Sequence, residues 1–316
     1  MSEVVLVTGA TGFVGSALVE RLAAQGHRVV CPVRPGGEMP PRLQGQTRVS
    51  AVVTPMDDAA QLATALAGER PERVYHLAAA GVRADDRGSA ALLAGNVNIT
   101  MALLQAATDW PLQCFVHVGS CAEYGLGCGQ PVAEDAPLLP ASAYGAAKAA
   151  ASMLALGFGA AWGLPLVLVR PFGTFGPGEA PQRLLPYLMA RLGLGLPAEL
   201  TPGDQVRDLM WIDDMAAAVQ LAGTSGLASG SVWNLCTGQG RTIREIGETL
   251  ADKMGAPRSL LRWGAVAHRD DEPRVLVGDP SRFWAATGWR PATDFNTALE
   301  HLVSGATADR TAHARV

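Results

Sequence analysis

Tyr144 and Lys148 stand four residues apart in the alanine-rich stretch Tyr144-Gly145-Ala146-Ala147-Lys148. On a helix that spacing puts both side chains on one face, about one turn apart. An ammonium beside a phenol favours the phenolate and lowers its pKa from about 10 toward working pH. Such a pair can exchange a proton with a carbonyl or an alcohol, Tyr144 carrying the proton. Lys148 is also suited to hold the ribose of a nicotinamide cofactor. Tyr and Lys meet at this spacing by chance in many helices, so the pair needs company. Ser120 is that company: it ends a predicted strand, where doubly wound sheets place ligands, and its hydroxyl can bind the same oxygen. Its other reading is a helix cap or a turn serine.

A cofactor for this chemistry has a place at the N-terminus. Val4-Val5-Leu6-Val7 is an uninterrupted apolar run, which suits a parallel strand buried on both faces. Thr8-Gly9-Ala10-Thr11-Gly12-Phe13-Val14-Gly15 follows, and helical spacing begins at Ser16. Glycines let the backbone turn tightly and approach a pyrophosphate, whose charge the free N–H groups of the helix hold. Gly9, Thr11, Gly12, Phe13, Val14 and Gly15 are therefore the expected cofactor loop, against an ordinary strand-to-helix turn. NAD enzymes usually close their second strand with an acid that accepts from the ribose 2′-hydroxyl. Here Val33 and Arg34 stand there. With no carboxylate to repel it and a guanidinium to bind it, a 2′-phosphate is favoured, and so NADP(H) over NAD(H). The alternative leaves Arg34 as a solvated loop residue.

The elements that must position these groups alternate regularly. Strands are predicted at 28–34, 49–53, 73–79, 114–120 and 166–170, with helices at 58–66, 96–107 and 142–162 between the later ones. This rhythm calls for an α/β fold, a doubly wound parallel sheet of Rossmann type. After Pro171, Gly and Pro punctuate the chain. Helices are expected at 183–192, 213–223, 242–254, 280–287 and 297–303, with strands at 231–236 and 275–277. We therefore divide the chain into a dinucleotide-binding domain over 1–172, to which 205–236 returns, and a smaller α+β substrate domain over 173–204 and 237–304. Residues 305–316 are expected to be a disordered tail.

Composition excludes several classes of partner. A net charge of −4 offers no basic surface for nucleic acid. No apolar run approaches a membrane span, and the N-terminus enters a strand rather than a signal peptide. The five cysteines, Cys31, Cys114, Cys121, Cys128 and Cys236, show no metal-like pairing and fit a reducing cytoplasm. His76, His117 and His268 also lack metal spacing. Trp211, Trp233, Trp284 and Trp289 are expected to fill core or rim.

Taken together, these motifs resemble the extended short-chain dehydrogenases/reductases, the branch holding nucleotide-sugar epimerases, dehydratases and 4-ketoreductases. The likeness runs from residue 4 to about 303. The Thr8–Gly15 loop resembles the family's cofactor loop, His76-Leu77-Ala78-Ala79-Ala80 its fourth-strand motif, and Asn96-Val97 its asparagine motif. The resemblance implies cofactor contacts from Leu77, Ala78, Ala79, Asn96, Tyr144, Lys148 and Pro171. Ser120-Cys121-Ala122-Glu123-Tyr124-Gly125 resembles the stretch whose first residue is catalytic, and Tyr144 and Lys148 match the catalytic pair. Arg170-Pro171-Phe172-Gly173 resembles the entry to the substrate domain. Gln205-Val206-Arg207-Asp208, and Arg274 ahead of Gly288-Trp289-Arg290-Pro291, resemble segments that grip a sugar-nucleotide diphosphate. Substrate contacts are thus implied for Cys121, Ala122, Gly173, Arg207 and Arg274, in a pocket lined by 80–87, 173–183 and 260–269.

Departures from the family pattern narrow the reaction. A family 4,6-dehydratase places Asp-Glu or a similar pair directly after the catalytic residue, where this chain has Cys121 and Ala122. Glu123 is displaced by one position, so its side chain is expected to point elsewhere. Gly173 replaces a usual substrate-binding Asn, and Thr54-Pro55 come where an acid near the adenine is expected. The expectation is an NAD(P)H-dependent reductase of a nucleotide-linked 4-keto-(6-deoxy)hexose. A 4-epimerase, or an unusual dehydratase, with tightly held NAD is the alternative, and a non-catalytic dinucleotide sensor is a third reading. The family also implies a homodimer through helices 96–107 and 142–162.

Overall fold

The computed structural model describes residues 2–81, 88–126, 131–269 and 271–313, with side chains to 305. Cys128 and residues 82–87 of the expected pocket lie outside that set. In chain order the elements are β1 (Val4–Thr8), α1 (Phe13–Ala24), β2 (Arg28–Val33), β3 (Val49–Val53), α2 (Ala59–Leu66), β4 (Arg73–His76), α3 (Ser89–Leu92), a π-turn (Leu93–Asn98), α4 (Ile99–Ala107), β5 (Cys114–Val118), α5 (Ala143–Ala161) and β6 (Leu166–Pro171). There follow β7 (Gly173–Phe175), α6 (Leu184–Gly193), β8 (Ala198–Glu199), β9 (Val206–Trp211), α7 (Ile212–Thr224), β10 (Val232–Leu235), β11 (Gly240–Thr242), α8 (Ile243–Lys253), β12 (Leu261–Arg262), β13 (Val275–Leu276), α9 (Ser281–Thr287) and α10 (Phe295–His313).

The main sheet has seven strands in the order β10-β6-β5-β4-β1-β2-β3, and every pairing is parallel. Its strands read as unbroken apolar runs because both faces are covered. Val5, Val7, Val29, Tyr75 and Val116 pack into one cluster with α1 and α7. Leu6, Val30, Val74 and Phe115 point the other way, against α2, α4 and α5. Side-chain alternation along a strand thus feeds two cores at once.

A second sheet orders β11-β9-β13, with β7 also on β9, and β8 pairs with β12. The stretch 205–236 divides between the two sheets. Val206–Trp211 joins the second, whereas α7 lies on the first and Val232–Leu235 becomes its edge strand beside β6. Asp208 fastens the layers: its carboxylate accepts from Thr237 N (2.9 Å), Thr237 Oγ1 (2.6 Å) and Gly238 N (2.8 Å).

Three expectations need correction. The helix expected at 96–107 begins at Ser89 and runs through a π-turn, since a π-turn leaves no mark in apolar spacing. The last helix continues to His313, so the stretch from 305, expected to be disordered, is helical over most of its length. Strands β7, β9 and β11 carry no sequence signal, because they are short or place charged residues at inward positions. By length and composition Ser89–Ala107 could cross a membrane; 44% of it is buried in the protein.

Candidate active site

The glycine loop is built as a cradle. Gly9 has φ +71°, and a Cβ there would meet Ala78 N and Leu77 C at 2.7 Å. A Cβ on Gly15 would fall on the Gly9 carbonyl oxygen. Gly12 N donates to Gly9 O (2.9 Å), closing the turn. No side chain caps α1 and its first turn holds no acid, so its N-terminal N–H groups are left for an anion. These features fit a dinucleotide pyrophosphate. Arg42, which carried no signal in the sequence, reaches this point: its guanidinium donates to Phe13 O (3.0 Å) and to Ser16 Oγ. Gly178 closes over the same spot, beside Phe13 and Arg42. Val33 is buried and Arg34 is exposed where β2 ends.

Beneath the cradle a fixed chain of hydrogen bonds joins the strands. Thr100 Oγ1 donates to Asn96 O (2.6 Å), so it accepts from His76 Nε2 (2.9 Å). His76 Nδ1 is then the acceptor for Thr8 Oγ1 (2.7 Å), which itself accepts from Ala78 N (3.2 Å). This assignment suits the neutral imidazole to which burial holds His76, its pKa pushed down to about 3. Asn96 Nδ2 donates to Ala80 O (3.1 Å) and Leu92 O (2.9 Å). Asn96 is buried and holds the turn after β4, where Leu77, Ala78 and Ala79 stand half-buried.

Ser120, Tyr144 and Lys148 converge at the end of β5. Ser120 caps a short 3-10 turn, its Oγ accepting from Ala122 N (3.1 Å). The Ser120 and Tyr144 hydroxyls are in hydrogen-bond contact. Lys148 is buried and its Nζ donates to Val118 O (2.6 Å). The expected lowering of the phenol is overturned. Burial pushes Tyr144 up to about 12, the Ser120 hydrogen bond opposing it. Burial also draws Lys148 down to about 8, opposed by the Glu123 charge. At neutral pH the phenol is therefore a proton donor.

Glu123 points away from the cleft. Its Oε1 accepts from Ser120 N (2.8 Å) and Ser152 Oγ (2.8 Å), and its Oε2 from Arg170 Nε (2.8 Å). Cys121 and Ala122, which precede it in the turn, are half-buried. Burial pushes the Cys121 thiol up to about 12, with Arg207 opposing, which places Arg207 within electrostatic reach of Ser120's neighbour.

Arg207 and Arg274 come together where β9 meets β13. Val206 N donates to Arg274 O (2.7 Å), and Arg207 Nη1 lies 3.5 Å from the same oxygen. Each guanidinium faces a carboxylate, Arg207 with Glu272 and Arg274 with Asp204 (3.4 Å). Gly173 has a packing reason of its own: a Cβ there would meet Asp208 O at 2.6 Å. Pro171 ends β6 beside it. One buried carboxyl near these groups escaped the sequence reading. Glu179 has an unpartnered buried oxygen, and Arg183 lies 3.4 Å from the other. Burial raises Glu179 to about 7, and Arg183 in turn acts on the Tyr144 phenol.

Residues 5–236 match the profile of the NAD dependent epimerase/dehydratase family. The chain belongs to that family. Within it, the chain is 30% identical over 320 residues to a dTDP-glucose 4,6-dehydratase of Actinoplanes sp., covering 97% of this chain and 98% of the relative. It is also 30% identical over 246 residues to a GDP-6-deoxy-D-mannose reductase of Pseudomonas aeruginosa, covering 75% and 80%. The crystal structure of a dTDP-glucose 4,6-dehydratase of Streptomyces venezuelae with NAD and TYD bound superposes with a TM-score of 0.88 at 27% identity, covering 98% of each chain. The seven-stranded sheet is thus the Rossmann sheet of an extended short-chain dehydrogenase/reductase, an oxidoreductase-type enzyme of the epimerase/dehydratase family.

Proposed function

We propose that the protein reduces a nucleotide-linked 4-keto-(6-deoxy)hexose with NADPH. The observation that carries this reading is the state of Glu123. The turn after Ser120, where the family pattern leads one to expect a working acid/base pair, holds Cys121 and Ala122, and its one carboxylate is tied to Ser120 N, Ser152 and Arg170. Water elimination needs a base at C5 and an acid at C6, and this turn supplies neither.

A nicotinamide cofactor held in the glycine cradle would supply the hydride for the sugar C4. Tyr144 donates its proton to the carbonyl oxygen as charge develops there, and the Ser120 hydroxyl donates a hydrogen bond to the same atom. Lys148 holds an ammonium behind them and binds the cofactor ribose. The α1 N-terminus and the Gly9–Gly15 loop take the pyrophosphate, with Leu77, Ala78, Ala79 and Pro171 lining the cofactor; Asn96, expected as a cofactor contact, is buried and acts only through the turn it holds. Arg34 supports the choice of NADPH, because it is exposed at the end of β2 with no acid beside it in the chain. Arg207 and Arg274 exchange Glu272 and Asp204 for the substrate's diphosphate. The protein pairs as a homodimer through α4 and α5, whose outer faces expose Met153 and, at the π-turn, Leu93.

A second reading, a 4-epimerase or dehydratase with retained NAD, draws on the dehydratase relatives and on Glu179, a buried carboxyl with a free oxygen. One experiment separates them. The purified protein is assayed for bound cofactor, then given dTDP-4-keto-6-deoxyglucose or dTDP-glucose with NADPH or NADH. The proposal expects empty protein and NADPH consumed only with the keto sugar. Firmly bound NAD, with dTDP-glucose converted and no net NADPH oxidation, would replace it by the second reading.

A further inference from the structure

Behind the three hydroxyl and amine groups lies a charged layer that the reaction scheme has not used. Glu123 is fully buried, at 0% exposure, and its partner Arg170 is at 3%. Both oxygens are committed, and two of the donors belong to the site: Ser120 through its backbone N–H, and Ser152 from the same helix as Tyr144 and Lys148. The arrangement is a capping box, Ser120 accepting from the turn while Glu123 reaches back to Ser120 N. Gly119 adds to the constraint, since a Cβ there would collide with Glu123 Oε1 and come within 3.0 Å of Ser152 Oγ. The glycine is what lets the carboxylate approach the strand end so closely.

We propose that Glu123 is a positioning residue, which fixes the Ser120 backbone at the end of β5 and ties it, through Ser152, to the turn of α5 that carries Lys148. The proposal rests on the reading of Ser120, Tyr144 and Lys148 given above. Three titratable groups on neighbouring elements act electrostatically with Lys148: His76 of β4, His117 of β5 and Glu123 of the turn. Burial holds both imidazoles neutral, so neither supports an ammonium by charge. Arg170 lies behind Glu123 and is held by it. Glu123 is accordingly the one group among these whose charge favours Lys148 in its protonated form.

The chain has two lysines, Lys148 and Lys253, which makes a direct test practical. Lys253 sits far along the sequence on α8, paired with Glu300. NMR titration of the full-length protein labelled at the lysine side chains should show two signals, with Lys148 identified by its loss in Lys148→Met. In Glu123→Gln, the Lys148 midpoint should fall by about one pH unit and Lys253 should stay fixed. An unmoved Lys148 overturns the charge role. Glu123→Asp keeps the charge but shortens the reach to Ser120 N. There the Lys148 midpoint should stay, while kcat falls about tenfold or more with KM within about twofold. Unchanged kcat in Glu123→Asp overturns the positioning role, and this variant decides alone if Glu123→Gln fails to fold. The lysine titration needs no substrate. Absence of keto-sugar turnover in the unaltered protein would therefore sink the functional reading, while the Lys148 titration in Glu123→Gln would still be decided on its own.

Discussion

Tyr144 keeps its proton at neutral pH as an ordinary phenol does, and burial moves it further from titrating. Tyr144→Phe should lower kcat by about 10²-fold or more while the NADPH Kd changes little, checked by turnover and by fluorescence titration. Loss of binding instead would give Tyr144 a different role. Lys148 bears the opposite burden. Its folded-state value of about 8 lies below the unfolded 10.5, so folding disfavours the ammonium. The penalty is full below about pH 8 and is relieved as pH rises toward 10.5. Lys148→Met should therefore abolish turnover yet raise unfolding free energy by about 1–3 kcal/mol at pH 7. That gain should shrink by about pH 10 in denaturant titrations. Tyr144, Lys148 and Ser120 were legible in the sequence because spacing and strand-end placement advertise them. The direction of Glu123, away from Ser120's working side, was also legible in its one-residue displacement, but its partners and the whole of Glu179 were not: what distinguishes them is which partner each oxygen finds in space, and no spacing encodes that. Arg42 was missed for the same reason, being brought to α1 by a loop with no periodicity.

At the level of elements, the glycine turn and the rod from α3 to α4 bind the cofactor loop to the rest of the sheet. Gly15→Ala would press a methyl into the Gly9 carbonyl, opening the turn and weakening NADPH binding by about tenfold or more, ~1.4 kcal/mol, in a binding titration. Asn96→Leu removes the donors to Ala80 O and Leu92 O. It should cost about 1–3 kcal/mol of stability in a denaturant titration. The strands of the main sheet could be read off the sequence because burial on both faces demands unbroken apolar runs. β9 could not. Its Val206-Arg207-Asp208 sequence gives adjacent positions, one on each face, to an arginine and to an aspartate that accepts from Thr237 and Gly238. A strand so employed does not look apolar. The π-turn at Leu93–Asn98 was equally silent, since it changes backbone bonding and leaves the side-chain composition helical.

Across the whole molecule, Asp208 is the pin between the two sheets. Asp208→Asn turns an acceptor toward backbone N–H groups into a donor. It should lower the unfolding free energy by about 2–3 kcal/mol and raise KM for the nucleotide sugar, with NADPH binding unchanged. Differential denaturation and parallel binding titrations check both halves. The proposed dimer is tested at the same scale: Met153, at 57% exposure on α5, when changed to Arg should give a monomer in sedimentation. The chain itself passes between the sheets at Pro171–Gly173, at Trp211–Ile212 and again between β10 and β11. Asp208, on β9 beside Arg207, accepts from Thr237 and Gly238 at the last of these passages, so any displacement of Arg207 relative to the main sheet has to strain those hydrogen bonds first.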